Sequence, residues 1–179
     1  NLRIRRGDHV LLEGSTGSGK STLAGLAASL ETPIDGMIYA GGHNLNTVGA
    51  DEWKRRVALA PQFHANHMFS APLAFNLLLG RNWPPSKHDL SEAMEVVHEL
   101  GLGPVIDRMP AGVMQMVGET GWRLSQGEQS RVFIARALLQ NADLVLLAGS
   151  FASLDPEKLH RAVQAVRKRA RSLMVIAQP

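Results

Sequence analysis

Apolar and polar positions along the chain follow two periods, and the switches between them outline the fold. Leu2 and Ile4 alternate with Arg3 and Arg5, and His9–Glu13 continues the two-residue period. Both segments are predicted strands, separated by the turn pair Gly7-Asp8. After a Gly-rich stretch, a helix is predicted from about Lys20 to Leu30. Met37–Ala40 reads as a strand, Asp51–Arg56 as a short helix and Val57–Ala60 as a strand stopped by Pro61. The middle turns helical: Ala71–Leu79, then Asp89–Leu100 with Leu90, Met94, Val97 and Leu100 at helical spacing, ended by Gly101–Gly103. Leu124–Leu139 predicts a helix, Leu144–Leu147 a strand, Glu157–Arg171 a helix and Leu173–Ala177 a strand. Strands alternating with helices at both ends of a helical insert imply an α/β fold on a largely parallel sheet.

Composition narrows this picture. At 179 residues and 45% hydrophobic content the chain is one domain with a real core. It has no Cys, which excludes disulfides, Cys-ligated metal sites and a thiol nucleophile. The net charge of +3 is localised: residues 157–171 hold six basic residues and one acid, a net +5, leaving −2 for the rest. The basic excess is therefore one solvated helix face, and no nucleic-acid partner is expected. The longest run without Asp, Glu, Lys or Arg, Val57–Gly80, contains Pro61, Gln62, His64, Asn66, His67, Pro72 and Asn76, so it is no membrane span. The chain opens without Met inside an alternating segment and stops after an apolar run, so both ends are expected to be cuts in a longer protein.

Gly14-Ser15-Thr16-Gly17-Ser18-Gly19-Lys20-Ser21-Thr22 matches G-x-x-x-x-G-K-[ST] between a predicted strand and a predicted helix. Glycines let such a loop curl with its N–H groups inward, and the helix N-terminus adds its dipole, so the segment is a phosphate cradle. Lys20 is expected to reach the β- and γ-phosphates of a nucleotide, and Ser21 to hold Mg²⁺. Further on, Ser125 and Glu128 in Leu124-Ser125-Gln126-Gly127-Glu128-Gln129 form an S-x-x-E capping box before a strong helix.

That second segment resembles the LSGGQ signature of ATP-binding cassette (ABC) proteins, and the resemblance runs along almost the whole chain. Pro61-Gln62 looks like the family's Q-loop. Val117-Gly118-Glu119-Thr120-Gly121 looks like the segment that precedes the signature in exporter-type members, and Ala152-Ser153-Leu154-Asp155 looks like the D-loop. The resemblance implies a P-loop NTPase sheet core, about 1–62 and 140–179, with a helical subdomain, about 63–139, that carries the signature. It implies an ATP-binding domain on the cytoplasmic face of a membrane transporter. The domain would pair head to tail with a second nucleotide-binding domain and receive coupling helices from a transmembrane domain. ATP and Mg²⁺ would be its ligands. Gln62 would approach the metal, and Ser125, Gln126, Gly127 and Glu128 would face the partner's ATP, with Asp155 in the D-loop. Gln126 stands where the family usually has Gly, and Glu128 where it has Gln. An adenine-stacking aromatic is expected upstream of residue 1.

The same resemblance exposes a departure. The family follows the strand before the D-loop with Asp, which supports Mg²⁺, and Glu, which acts as general base or positions the attacking water. Here Leu144-Val145-Leu146-Leu147 leads to Ala148 and Gly149, which carry no side-chain oxygen. Asp143 lies at the wrong end of that strand, ~16 Å away at the usual rise per residue. The last strand leads to Gln178 where the family has a His that contacts the γ-phosphate. Gln cannot share the proton chemistry of imidazole. The phosphate loop, Gln62 and the D-loop are intact, so the chain reads as binding-competent and cleavage-deficient, with no catalytic residue of its own. Three other readings stay open: an active transport ATPase using a substitute carboxylate, a soluble ABC protein not linked to transport, and a small-molecule P-loop kinase, which the signature and D-loop oppose. His64 and His67, spaced i, i+3, have no evident third ligand and read as loop or interface histidines. Trp53, Trp83 and Trp122 read as packing or surface residues.

Overall fold

The computed structural model describes residues 2–177. Four short strands, β1 (His9–Leu12), β4 (Val57–Ala60), β5 (Leu144–Ala148) and β6 (Leu173–Ile176), form one sheet in the order β1-β6-β5-β4. Every pairing in it is parallel. Parallel neighbours cannot be joined by tight turns, so the long connections carry the helices. β2 (Tyr39–Ala40) and β3 (His43–Asn44) make a separate antiparallel pair. The helices are α1 (Lys20–Ala27), α2 (Leu45–Val48), α3 (Ala50–Arg56), α4 (Leu73–Leu77), α5 (Lys87–Glu99), α6 (Gly103–Asp107), α7 (Gln126–Leu139) and α8 (Pro156–Arg169).

The two-residue period of the strands sorts the core into two layers. On β5, Val145 and Leu147 face one apolar cluster, while Leu146 and Ala148 face the other. β6 divides the same way, Leu173 and Val175 against Met174 and Ile176. The first cluster packs under α4 to α8, for example Leu77, Val97, Ile134 and Val166. The second packs under Ala24 of α1, Leu45 of α2 and Trp53 of α3. Trp53 is buried and donates its indole N–H to the Ala27 carbonyl at 2.7 Å, which pins the end of α1 to α3. A sheet covered on both faces reads as continuous apolar runs, as Leu144–Leu147 does.

Several local expectations are corrected. Leu2–Arg5 forms no strand; Asp8 instead accepts from the Arg5 N–H and closes a turn. Met37–Ala40 shrinks to the two residues of β2, paired through the Gly41-Gly42 turn. The predicted helix at 71–79 contracts to α4, and α7 begins at Gln126 because Ser125 serves as its N-cap. The basic helix presents the expected solvated face, with Lys158, Arg161, Arg167 and Lys168 all exposed, but several of these charges are also partnered. Lys168 meets Glu99 at 2.7 Å, Arg169 binds Glu99 and Glu95, and Arg161 donates to the His98 and Glu99 carbonyls, so its charge ties α8 to α5.

Candidate functional site

The phosphate loop leaves the C-terminal end of β1 and enters α1. Gly17 and Gly19 both sit at φ +85°, a left-handed conformation that a Cβ disfavours, which is why glycine recurs there. Gly14 is closely packed: a Cβ would come within 3.0 Å of Ser18 Oγ. The Lys20 ammonium is held over the loop, donating to the carbonyls of Gly14 (2.6 Å) and Ser15 (2.8 Å) and to Ser18 Oγ (3.2 Å). The first turn of α1 has neither a side-chain cap nor an acid, so its positive end is open to an anion.

A cavity of about 300 Å³ is lined by Thr16, Gly17, Gly19, Lys20, Ser21, Thr22, Gln62, Gly149 and Ile176. It brings together the phosphate loop, Gln62, two residues past β4, and Gly149, the residue after β5. No carboxylate is among these lining residues. Ala148 is buried against the α1 side of the sheet and pairs with Ile176, and the Gly149 N–H donates to the Ile176 carbonyl at 3.0 Å. A Cβ on Gly149 would lie 3.4 Å from Gln62 Cγ, so a side chain at this position would point beside Gln62. Asp143, at the other end of β5, is held by Arg171 at 3.1 Å and lies 3.9 Å from Arg56. Gln178 lies outside the described residues. The side-chain oxygens of this lining that could meet a magnesium ion are all neutral, the Ser21 hydroxyl and the Gln62 amide among them.

The signature is not part of this cavity. Ser125 caps α7: its Oγ accepts from the Glu128 N–H at 3.3 Å, and the Glu128 carboxylate accepts from the Ser125 N–H at 2.7 Å. The second Glu128 oxygen lies 3.5 Å from Arg108. The carboxylate is thereby folded back onto the helix end. Gly127 lies under the D-loop, where a Cβ would meet the Ser153 carbonyl at 3.2 Å, and Ser130 Oγ bonds Ser153 Oγ at 2.7 Å. Gln126 is exposed. Asp155 caps α8, accepting from the Lys158 N–H at 2.9 Å and from its ammonium, and these bonds hold its carboxyl below the usual range. The structure thus brings Gly14–Thr22, Gln62 and Gly149 together, and separately Ser125–Glu128 and the D-loop.

Sequence reasoning missed the buried cations. Arg136 lies within the apolar run of α7 and Arg131 immediately before it, and both are almost fully buried. The signal is an arginine inside Val132-Phe133-Ile134-Ala135-Arg136-Ala137-Leu138-Leu139, where a helix with one wet face would show apolar residues alone on its inner side. His64 and His67 are exposed. Among the described residues, the compact group that could hold a metal is His88, Asp89 and Glu92. Arg81 already occupies its two carboxylates, at 2.8 and 2.7 Å.

The sequence profile of the ABC transporter family matches residues 1–148. An ATP-dependent lipid A-core flippase of Yersinia pestis bv. Antiqua is 33% identical over 99% of the chain and 30% of that relative. One of Nitrosococcus oceani is 35% identical over 99% of the chain and 29% of that relative. The chain therefore spans about three-tenths of the length of these relatives. A bacterial Atm1-family ABC exporter with ATP bound superposes with a TM-score of 0.87 at 27% identity, covering 99% of this chain and 30% of that one.

Proposed function

The chain belongs to the ABC transporter family, as the ATP-binding domain of an exporter-type member, and from that membership we propose that it binds Mg-ATP without cleaving it. The observation that carries this reading is the cavity around the phosphate loop, whose lining residues include no carboxylate. Ala148 ends β5 and Gly149 follows it, where the family's two acids would stand, with position 149 directed at Gln62. Bound Mg²⁺ would neutralise phosphate charge and orient the β- and γ-oxygens. Ser21 and Gln62 are its only protein anchors in this reading. Gly14–Thr22 supply backbone N–H groups and Lys20 a cation, and these contacts are independent of the missing acids.

In this reading Ser125, Gln126, Gly127 and Glu128 face the ATP of a second nucleotide-binding domain, with Asp155 and the D-loop packed behind them. The partners are that second domain and a transmembrane domain at the cytoplasmic face of a membrane; the flippase and exporter relatives support this setting. No helix among the described residues is long and apolar enough to cross a membrane.

A positioned general base is worth roughly 10²–10⁴-fold, so hydrolysis at this site should fall at least ~10³-fold once metal support is also lost. The test measures ATP binding and phosphate release on one preparation. Micromolar binding with background turnover is the expected result. Turnover near ~1 s⁻¹, within the ordinary enzyme range, would overturn the proposal.

A further inference from the structure

Arg136 carries a full charge in the core and is engaged by no carboxylate among the described residues. It is 8% exposed. Its Nε donates to the Asn76 carbonyl at 2.7 Å, Nη1 to Asn66 Oδ1 (3.1 Å) and the His67 carbonyl (3.2 Å), and Nη2 to the His67 carbonyl (3.2 Å) and Asn76 Oδ1 (3.1 Å). The guanidinium also faces the rings of Phe133 and Phe69, 5.2 and 6.0 Å from their centroids. Burying a cation costs several kcal/mol, and here neutral oxygens and ring faces offset that cost. Burial draws its pKa down to about 10, which leaves it charged at neutral pH.

What these bonds hold is one short stretch of chain. Gln62 begins a single turn that its own carbonyl closes, accepting from the Ala65 N–H at 2.9 Å. The chain then passes through Asn66 and His67, both on Arg136, to Phe69. Asn76 is fully buried; its Oδ1 accepts from the Phe69 N–H (2.9 Å) and its Nδ2 donates to the Phe69 carbonyl (3.0 Å). Phe63 packs on Phe133, ring centroids 6.0 Å apart. From the other side, Gly118 lies against the Phe69–Ser70 backbone so closely that a Cβ would meet it at 2.9 Å. The Val117 N–H donates to the Ala71 carbonyl at 3.0 Å. The stretch from Gln62 to Phe69 is therefore fastened to α7 by a forked donor. Eleven residues up that helix, about 16 Å by helical rise, Ser125 caps its N-terminus.

We propose that Arg136 is a positioning residue that locks the segment following Gln62 onto α7, so that nucleotide bound at Gln62 is felt at Ser125–Glu128. The inference rests on the ATP-binding reading above. Lys cannot replace this residue, because a single ammonium cannot reach acceptors on Asn66, His67 and Asn76 in the fixed fork that Arg supplies.

The test follows amide hydrogen exchange in this chain, with and without Mg-ATP, at concentrations where sedimentation shows single copies, so that no partner's ATP touches the first turn of α7 directly. In the unsubstituted protein, ATP should slow exchange over both Gly14–Thr22 and the first turn of α7. In Arg136→Lys, ATP affinity and protection over Gly14–Thr22 should stay within about twofold, as for distant independent sites. The ATP-dependent protection of the first turn of α7 should fall about tenfold, the equivalent of one lost hydrogen bond to a charged group. Should Arg136→Lys fail to fold, Asn66→Ala removes one acceptor from a half-buried position and should shift the same readout in the same direction. Undiminished protection of the first turn of α7 in either folded variant would overturn the proposal. So would an equal loss at both segments, which marks a purely structural role. If the unsubstituted protein shows no ATP-dependent protection over Gly14–Thr22, the ATP-binding reading itself fails, and this one with it.

Discussion

Lys20 and Gly149 show how differently two residues of one site can be read. Lys20 is fixed by its motif, and its hydrogen bonds to Gly14, Ser15 and Ser18 keep the ammonium over the loop. Lys20→Ala should weaken ATP binding roughly 10- to 100-fold, the range for a lost hydrogen bond between charged groups. Isothermal titration with ATP checks this, and unchanged affinity would move the phosphate site elsewhere. Gly149 carries a signal only by contrast with the family pattern, and its backbone state was not legible in the sequence. It lies at φ +61°, where a side chain costs roughly 1–2 kcal/mol. Gly149→Glu alone should therefore lower the melting temperature by about 2–4 °C per kcal/mol in a domain of this size. Ala148→Asp, Gly149→Glu and Gln178→His together should raise phosphate release in the full-length protein by orders of magnitude. If turnover stays at background while ATP still binds, these three positions do not limit hydrolysis.

Among the elements, those with both a cap and a period were readable, and those resting on alternation or on a glycine stop alone were not. Ser125 with Glu128 announces the start of α7, and the capping box is present. The strand read at Leu2–Arg5 alternates correctly, yet the turn closed by Asp8 takes its place. α6 begins within the glycines read as a stop. α5 gives the sharpest electrostatic prediction. Hydrogen bonds from Ser86 and then from Arg81 hold the Asp89 carboxyl down at about 2, and Arg81 likewise lowers Glu92. A carboxyl whose folded pKa is depressed stabilises the fold above its unfolded value, near 3.8, and loses that contribution as pH falls toward about 2. Thermal melts between pH 5 and pH 2 should thus show a stability loss in this window that Asp89→Asn flattens. An identical slope in the variant would mean that the cap carries none of it.

At the scale of the molecule, the α/β class follows from the alternation of periods, but the strand order β1-β6-β5-β4 does not. It depends on which strand the two-sided core draws between which neighbours, a pairing of residues more than a hundred positions apart in the case of His9 with Leu173. The separation of the site into two parts was legible only through the family resemblance. The phosphate cavity contains Lys20 and Gln62, and the signature at Ser125 lies outside it, under its own D-loop. If each ATP is held by the loop of one copy and the signature of another, damage to the two parts must complement in trans. Lys20→Ala breaks both loops of a symmetric pair, and Ser125→Arg breaks both signatures at a capping cost of about 1 kcal/mol. A mixed pair has one site with both defects and one site with none. Each variant alone should therefore fail to associate on adding Mg-ATP, and an equimolar mixture should recover one ATP-bound site per pair, read by sedimentation and by ATP stoichiometry. Association of either variant alone at the unsubstituted level would separate the signature from the nucleotide, and a mixture as inert as its components would rule out pairing between copies of this chain.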